Sequence, residues 1–357
     1  MLYKLLSSQR RDLRHSVISV TAKGSLRPLI QSLGVPVFDL GMSPGRLNLA
    51  GLATLPNLVR KLSPSILQGW MYHGNIAASI ASIAVPRSSL AWNIRHSIHN
   101  IGTEKRTTRM TIALGAKLSG MTSVIVYNAH RSMDQHCALG YKGKSIIIPN
   151  GFDTTTFRPD QAAREQIRHE ISVDNDAIVI GLAARFHPDK DHSNFLEAAS
   201  VLHQTYPDVH YVLVGRGVDR SNKDLIVRVK TLGLGQVVHL LGERTDIARV
   251  MAAMDIATSS SRTEAFSNTV GEAMACAVPC VVTDVGDSAR LVGSTGRVVP
   301  PRNHHALAKA WQDVLALRGS DHGALRAAAR ERIMDNFSID AIVDRYRDMY
   351  LNLEPQR

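Results

Sequence analysis

Two carboxylates, Glu264 and Glu272, stand eight positions apart in the small-residue stretch "SSSRTEAFSNTVGEAM". A helix that begins near Asn268 would leave Glu264 in the preceding loop and Glu272 in its first turns. The unpaired amides and partial positive charge at a helix start bind phosphate, whereas carboxylates accept hydrogen bonds from sugar hydroxyls. The spacing therefore predicts either a site for two ends of one phosphorylated, hydroxylated ligand, or two acids that complement the helix dipole.

Two cations, Arg185 and Lys190, are five residues apart in "GLAARFHPDKDHSN", directly after an apolar run. Together they could neutralise a diphosphate as it leaves with negative charge. Gly215 in "VLVGRG" follows another apolar run and permits close approach of the backbone to a ligand. Each motif alone could be a solvated loop or a simple turn. Their shared position after apolar runs favours a ligand site at the carboxyl ends of parallel strands.

Two histidines follow strand-like runs in the first half of the chain: His73 in "GWMYHGN" and His96 in "LAWNIRHS". Arg95 stands next to His96, which favours a role in handling an anion. The chain contains 15 histidines, and a single histidine is more often packed or solvated than catalytic. Both interpretations therefore stay open for these two residues.

Apolar β-branched runs alternate with helix-length segments along the whole chain. This alternation predicts an α/β fold whose parallel, doubly wound sheets are covered on both faces. Pro149, Asn150 and Gly151 interrupt the pattern, which predicts a domain boundary near residue 160. We expect an N-terminal domain over residues 1–160, a second domain over 161–335 and a C-terminal helix over 336–357.

Charge is concentrated in residues 1–150, which contain 18 Lys and Arg against 4 Asp and Glu, while the remaining residues sum to −3. Such a half-chain attracts an anionic membrane surface or an acidic ligand, although a generally basic surface would look the same. The basic residues are scattered and aromatic residues make up 5% of the chain, which argues against nucleic acid as a partner. Without an apolar run of spanning length or a secretory signal, we expect a cytoplasmic protein. The three cysteines predict reduced, mostly buried thiols.

The motifs, in this order, resemble those of retaining nucleotide-sugar glycosyltransferases of family 4. The matching elements are "ARFHPDKD", "LVGRG", the E-x7-E element from Glu264 to Glu272, and "IPNGFDTTTFRP". The resemblance covers nearly the whole chain and is strongest over residues 148–301. It implies the GT-B fold, in which two Rossmann-like domains face a central cleft. "GWMYHGN" and "WNIRHS" look most like the branch that builds bacterial surface polysaccharides and lipopolysaccharide.

The resemblance also implies roles for individual residues. Glu264 would contact hydroxyls of the donor sugar, Glu272 the ribose, and Arg185 with Lys190 the diphosphate. The catalytic group would be His96, Arg185, Lys190 and Glu264. The donor would be held by Arg185, Lys190, Gly215, Glu264, Phe266, Ser267, Asn268, Thr269 and Glu272. The acceptor side would be formed by His73, Asn75 and Arg95.

The reaction implied by the resemblance moves a sugar from a UDP-sugar to a lipid-linked or saccharide acceptor, with retention at the anomeric carbon. No metal or other cofactor is expected, because fixed cations would replace the metal and "DKD", from Asp189 to Asp191, belongs to the phosphate loop. We expect the protein to be peripheral on the inner face of the cytoplasmic membrane. A transferase with a soluble acceptor, or an inactive remnant that still binds nucleotide-sugar, are the alternatives.

Family members start with a strand and a glycine-rich loop, ahead of the helix to which "MLYKLLSS" corresponds. The resemblance therefore implies that the N-terminal domain lacks its first strand and glycine loop. Met1 would then be either an internal methionine taken as a start or the start of a truncated form. Because that strand is central in a doubly wound sheet, its loss would leave a hydrophobic slot.

Overall fold

The computed structural model describes residues 1–8, 13–21, 24, 26–42, 49–98, 101–317 and 319–353. The chain divides into two units. Unit 1 combines Met1–Gly151 with Ile339–Arg357, and unit 2 is the continuous segment Phe152–Ser338. Both units are α/β structures in which every strand pairing among the described residues is parallel.

Unit 1 contains short strands separated by helices, as the alternation in the sequence predicts. Its strands among the described residues are β1 (Val17–Thr21), β2 (Val37–Met42), β3 (Ile66–Trp70), β4 (Ser89–Ile94), β5 (Val124–Tyr127) and β6 (Ser145–Ile147). Its helices are α1 (Leu2–Ser7), α2 (Arg27–Gln31), α3 (Leu49–Leu62), α4 (Met71–Ser82), α5 (Arg106–Leu118), α6 (His130–Ala138) and, much later in the chain, α15 (Ile339–Leu353).

The strands of unit 1 form two separate sheets, β1-β2 and β3-β4-β5-β6. All five residues of β1 are half-buried, and so are four of the five in β3, whereas every residue of β5 is buried. Strands β1 and β3 nevertheless share a hydrophobic cluster, in which Ile18 and Leu67 pack beside Leu55 and Val59.

Helix α15 completes the core of unit 1. Its buried residues Ile342, Tyr346 and Met349 pack with Ala91 of β4 and Val126 of β5. The segment 336–357, predicted as a separate C-terminal helix, therefore contributes from Ile339 onward to the first unit. Sequence periodicity does reveal an amphipathic helix, but it does not reveal which of two sheets the apolar face will cover.

A buried histidine, His136 of α6, sits among aromatic side chains in unit 1. Its Nε2 lies 2.9 Å from the hydroxyl of Tyr72, and its Nδ1 lies 2.7 Å from the carbonyl oxygen of Ser132. The rings of Tyr127 and Tyr141 are centred 5.6 and 5.0 Å from the imidazole. Burial lowers the pKa of His136 to about 4. The neutral ring is therefore the form that the folded unit accommodates.

We expect His136 to make the stability of unit 1 depend on pH. Its pKa is near 6.5 in the unfolded chain and about 4 in the folded one. The unfolded state therefore binds the proton first, and stability that is complete above pH 6.5 falls by roughly 1.4 kcal/mol per pH unit toward pH 4. Urea unfolding followed by tryptophan fluorescence at a series of pH values measures this slope. His136→Gln should flatten it, whereas exposed His73→Gln should not; equal slopes in all three proteins would contradict the assignment.

Unit 2 contains one six-stranded sheet. Its strands are β7 (Val179–Ala183), β8 (His210–Val214), β9 (Val238–Leu240), β10 (Ile256–Ser259), β11 (Cys280–Thr283) and β12 (Gly296–Val299). Its helices are α7 (Gln161–Glu170), α8 (His192–His203), α9 (Lys223–Thr231), α10 (Ile247–Ala252), α11 (Asn268–Ala275), α12 (Ser288–Val292), α13 (His304–Leu315) and α14 (Gly319–Phe337). The sheet order is β12-β11-β10-β7-β8-β9, so the chain runs outward from β7 and then returns to β7's other side at β10. This is the doubly wound arrangement that the sequence predicts.

Side-chain caps fix where four helices of unit 2 begin. Asp160, Asp191, Asn222 and Asn303 each accept a hydrogen bond from a backbone amide in the first turn of the following helix. Such a cap contributes about 1 kcal/mol, because it satisfies an amide that has no partner within the helix. The caps thus set the residue at which each of α7, α8, α9 and α13 begins.

The chain enters unit 2 at Phe152, earlier than the predicted boundary near residue 160. The amide of Phe152 donates to the carbonyl of Phe337 at 2.9 Å, and its buried ring stacks on Phe266 with centroids 6.1 Å apart. Gly271 makes room for this ring, since a Cβ there would lie 2.1 Å from it. The break in the sequence pattern at Pro149 to Gly151 coincides with the passage of the chain from unit 1 to unit 2. The packing of Phe152 depends on residues far away in the chain, so the neighbouring sequence does not predict it.

Ten of the twelve strands among the described residues coincide with apolar β-branched runs of the sequence, and the other two, β3 and β4, lie at the histidine motifs "GWMYHGN" and "LAWNIRHS". The three cysteines, each within the described part of the chain, are free thiols; Cys276 and Cys280 are buried and Cys137 is exposed. None of the helices in the described ranges is long and apolar enough to cross a bilayer.

Candidate functional site

The predicted donor residues of unit 2 gather at one edge of its sheet. The loops that follow β7, β8, β10 and β11 all leave from the carboxyl ends of parallel strands. Between β7 and β10 the winding of the chain changes direction. Open α/β sheets bind ligands at such a switch point, because the diverging loops leave a crevice there.

Lys190 and Glu264 form an ion pair that joins the loops after β7 and β10. Lys190 lies in the short 3-10 turn Pro188–Lys190, and its ammonium donates to Oε1 of Glu264. The Ser261 hydroxyl donates to the same oxygen at 2.9 Å, and the Ser260 hydroxyl donates to the carbonyl of Lys190 at 2.8 Å. The Glu264 side chain is 13% exposed and that of Lys190 25%. The structure thus brings together two of the residues that sequence motifs had singled out separately.

A second ion pair joins the same two loops, and the sequence analysis missed it. Arg262 donates from Nε and Nη2 to the buried carboxylate of Asp191, at 2.7 and 2.9 Å. The backbone amide of Arg262 donates to the carbonyl of Asp189 at 2.7 Å. Asp191 is left-handed, with φ 48°, and also caps α8. The Asp191 carboxylate raises the pKa of the Arg262 guanidinium. These contacts hold the turn that carries Lys190 against the loop that carries Glu264.

We expect Arg262→Met to lower turnover about tenfold through mispositioning of Lys190 and Glu264. The bidentate geometry is specific to a guanidinium, so Arg262→Lys should restore only part of the activity. Steady-state kinetics should show a loss mainly in kcat, because the Arg262 side chain contacts Asp191 of the protein and not the ligand. The circular dichroism spectrum should be unchanged. Equal kcat in the Met and wild-type proteins would contradict this role.

Two glycines permit the loops to pack closely at the strand ends. Gly215 has φ 148°, and a Cβ there would lie 2.3 Å from the carbonyl oxygen of Ala184. Gly286 has φ 58°, and a Cβ there would lie 2.5 Å from the carbonyl oxygens of Glu264 and Ala265. Gly215 therefore allows the loop after β8 to pack closely against the loop after β7. Its close approach to a ligand stays a prediction.

Arg185 lies two residues after the end of β7 and is exposed. Among the residues that the structure describes, its guanidinium has no ion-pair or hydrogen-bond partner. The neighbouring amide of Phe186 donates to the carbonyl of Arg216 at 2.8 Å, which ties the Arg185 loop to the loop after β8. The cation therefore stands on a fixed backbone with its charge uncompensated. An anion can bind it without first displacing a protein carboxylate.

Helix α11 begins at Asn268, as the spacing of the two acids predicts. Glu264 lies in the loop before it, and the half-buried Glu272 is its fifth residue. The hydroxyls of Ser267 and Thr269 lie 3.5 Å apart in the first turn. The ring of Phe266 is buried against Phe152 and Phe337, so only its backbone is available to a ligand. The predicted anion site at these amides stays a prediction.

The two predicted histidines of unit 1 differ in their surroundings. His96 follows β4, and its Nε2 lies 3.0 Å from Oε1 of Glu104. The Ser132 hydroxyl donates to the carbonyl of His96 at 2.6 Å, which fixes the backbone of this residue. His73 is exposed and is the third residue of α4 rather than the end of a strand. Strand β3 ends at Trp70, and the chain turns at Met71, with φ 62°, directly into α4. His73 therefore lies in the first turn of that helix.

The other two residues predicted for the acceptor side have structural contacts. Asn75 is 2% exposed, and its side-chain amide lies within hydrogen-bond distance of backbone atoms of Gly69 and Asn93. Its side chain therefore belongs to the interior of unit 1 rather than to a surface for an acceptor. The Arg95 guanidinium donates to Oδ1 of Asn150 and to the hydroxyl of Tyr346, and lies 5.4 Å from the centre of the Trp70 ring. Arg95 therefore links the end of β4 to α15. Its place next to His96 in the sequence gave no sign of these contacts.

The described residues include no group of three or more His, Cys, Asp or Glu side chains that could hold a metal ion. The cations Arg185 and Lys190 are instead the charged groups at the sheet edge that suit a diphosphate. The expectation that no metal takes part stays a prediction.

Residues 177–316, within unit 2, match the family model described as "Glycosyl transferases group 1". The chain is 26% identical over 218 residues to the Escherichia coli "UDP-Gal:alpha-D-GlcNAc-diphosphoundecaprenol alpha-1,3-galactosyltransferase", covering 59% of this chain and 54% of that protein. It is 29% identical over 206 residues to the "Lipopolysaccharide core biosynthesis mannosyltransferase LpsB" of Rhizobium meliloti, covering 55% of this chain and 57% of the relative. The matches thus span about half the length of these relatives.

Among solved structures, Anabaena Alr3699/HepE, crystallised in complex with UDP, superposes with a TM-score of 0.85. The superposition covers 98% of this chain and 95% of that one at 22% identity, so it establishes the fold. The chain has the GT-B fold, and it carries a glycosyltransferase group 1 domain.

Proposed function

We propose that the protein is a retaining glycosyltransferase that moves a sugar from a UDP-sugar to a lipid-linked or saccharide acceptor in surface polysaccharide or lipopolysaccharide synthesis. The observation that carries the proposal is the Lys190–Glu264 pair at the switch point of the sheet, with the exposed Arg185 in the same loop as Lys190. A nucleotide-sugar needs both partners: cations for its diphosphate and a carboxylate for its hydroxyls. The group 1 match over residues 177–316 supports this assignment.

In the proposed reaction, Arg185 and Lys190 bind the diphosphate and stabilise the charge that develops as it leaves. The Glu264 carboxylate accepts hydrogen bonds from the donor sugar and stabilises its oxocarbenium-like transition state, while Glu272 binds the ribose. Amides at the start of α11, from Phe266 to Thr269, complete the phosphate site. The family resemblance also assigns His96 to the catalytic group. Catalysis then depends on positioning and on preorganised charge, without a bound metal.

A lipid-linked acceptor is favoured by the two relatives, whose names refer to a diphosphoundecaprenol-linked sugar and to the lipopolysaccharide core. It is also favoured by the charge of residues 1–150, with 18 basic against 4 acidic residues. An anionic membrane surface attracts such a segment. We therefore propose a peripheral location on the inner face of the cytoplasmic membrane, where a lipid-linked acceptor and a cytoplasmic donor meet.

The test is a transfer assay with radiolabelled UDP-sugars, each combined with a lipid-linked acceptor and with soluble sugars and sugar phosphates. Nuclear magnetic resonance of the product gives the anomeric configuration, and a parallel assay with a chelator tests independence from metal. Transfer to the lipid-linked acceptor with retention supports the proposal. Transfer only to a soluble acceptor supports the alternative of a soluble-acceptor enzyme. UDP binding without transfer to any acceptor would identify a nucleotide-sugar-binding remnant.

A further inference from the structure

Helix α5 presents an apolar strip to solvent. Met110 is 64% exposed and Leu114 44% exposed, and the two are four residues apart on one face of the helix. Met121, 48% exposed, lies in the short 3-10 turn Ser119–Met121 that continues the helix. We call Met110, Leu114 and Met121 the apolar strip. Three large apolar side chains side by side in water are unfavourable unless another surface covers them.

The opposite face of α5 anchors the helix to unit 1. Ile112 and Gly115 are buried, and the Tyr141 hydroxyl donates to the carbonyl of Ile112 at 3.2 Å. A Cβ at residue 115 would lie 2.4 Å from that hydroxyl, so glycine permits this close contact. These buried residues hold α5 against the core of unit 1. The apolar strip is exposed and does not contribute to that core.

Helix α5 and the loop beside its end also carry exposed basic side chains. Arg106, Arg109 and Lys117 are exposed on α5, a helix without any Asp or Glu. Lys142 and Lys144 are exposed in the loop beside its end, where the Lys142 amide donates to the Ser119 hydroxyl oxygen at 2.7 Å. Apolar side chains flanked by cations are the pattern of a helix that lies in the interface of an anionic bilayer, its apolar face among the acyl chains and its cations at the headgroups.

We propose that α5 is the element by which this protein docks on an anionic lipid surface. Charge complementarity selects lipid as the occupant: α5 and the loop beside its end carry exposed cations, and residues 1–150 as a whole carry a balance of +14. The inference rests on the proposed function in placing the acceptor at a membrane, and it goes further in naming the contact. Vesicle binding requires neither donor nor turnover, so the two proposals fail separately.

The test is flotation of the full chain with vesicles of equal parts phosphatidylglycerol and phosphatidylcholine, compared with phosphatidylcholine alone. Each basic residue at an anionic surface strengthens binding roughly fivefold. Arg106→Gln/Arg109→Gln/Lys117→Gln should therefore weaken partition to the anionic vesicles by roughly a hundredfold. Met110→Ser/Leu114→Ser should weaken it by roughly tenfold, because less apolar surface enters the interface.

A matched control lies on α9 of unit 2, where Val227 is 62% exposed between the exposed Lys223 and Lys230. Val227→Ser/Lys223→Gln/Lys230→Gln should bind anionic vesicles as the unchanged protein does. The proposal is overturned if neutral and anionic vesicles are bound equally, if the α9 variant loses as much as the α5 variants, or if single-stranded RNA is bound while vesicles are not. Circular dichroism confirms that the exposed changes leave each variant folded.

Discussion

Glu264→Gln is expected to lower turnover about a hundred- to a thousandfold while UDP is still bound at least as tightly as before. The substitution keeps the size of the side chain and removes the negative charge that would stabilise a positively charged transition state at the donor sugar. It also releases the Lys190 ammonium, which pairs with Oε1 of Glu264 in the structure. A released ammonium is free to bind the diphosphate, so UDP affinity does not fall.

Steady-state kinetics with the best UDP-sugar gives kcat, and isothermal titration gives the dissociation constant for UDP. The matched control is Glu165→Gln, at an exposed acid on α7 whose Oε1 accepts a hydrogen bond from Gln161. It should leave both quantities unchanged. Near-normal turnover in Glu264→Gln would remove the carboxylate from the mechanism, and a large loss of UDP affinity would show that it supports nucleotide binding instead.

Lys190→Ala is expected to weaken UDP binding about ten- to a hundredfold and to lower turnover by about a thousandfold. The ammonium would lose its contacts with the diphosphate in the bound state and its support of the leaving group in the transition state. A further penalty arises because Glu264, 13% exposed, would then place an uncompensated carboxylate beside the phosphate. Titration with UDP and steady-state kinetics measure the two effects.

The double variant Lys190→Ala/Glu264→Gln separates these two contributions to UDP binding. It removes the ammonium and the carboxylate charge together, so it should bind UDP more tightly than Lys190→Ala alone. We expect the binding free energy of the double variant to differ from the sum of the two single effects by roughly 1 kcal/mol. Exposed Lys223→Ala on α9 serves as the control and should bind UDP normally. Additive effects of the two single changes would show that the ion pair does not influence the nucleotide site.

The sequence predicted the sheet edge and the residues on it because both follow from local patterns. Apolar runs mark strands, and in a doubly wound sheet the loops after those strands meet at one edge. Lys190 and Glu264 do lie in loops at this edge, and α11 begins at Asn268, as the local stretch around the two acids predicts. The rule says that Lys190 and Glu264 are neighbours, but it does not say that they form an ion pair.

Contacts between residues far apart in the chain were not predictable in this way. The pair between Arg262 and Asp191 spans 71 positions, and each residue alone resembles a solvated loop charge. The family resemblance implies an acceptor-side role for Asn75, whereas its side-chain amide is buried against the backbone of unit 1. The entry of Phe152 into unit 2 likewise depends on Phe266 and Phe337, more than a hundred residues away.

The return of α15 to unit 1 affects the order in which the protein can fold as it is synthesised. Asn93 donates to the hydroxyl of Tyr346 across 253 residues, and the core around Ala91 and Val126 is completed only by α15. Unit 2 is one continuous segment, so it can fold on the ribosome as soon as Ser338 has emerged. The segment Met1–Gly151 precedes unit 2 in the chain, so part of its core stays uncovered until unit 2 and then α15 have been synthesised. During this interval the uncovered apolar core of unit 1 is the surface that a chaperone would bind.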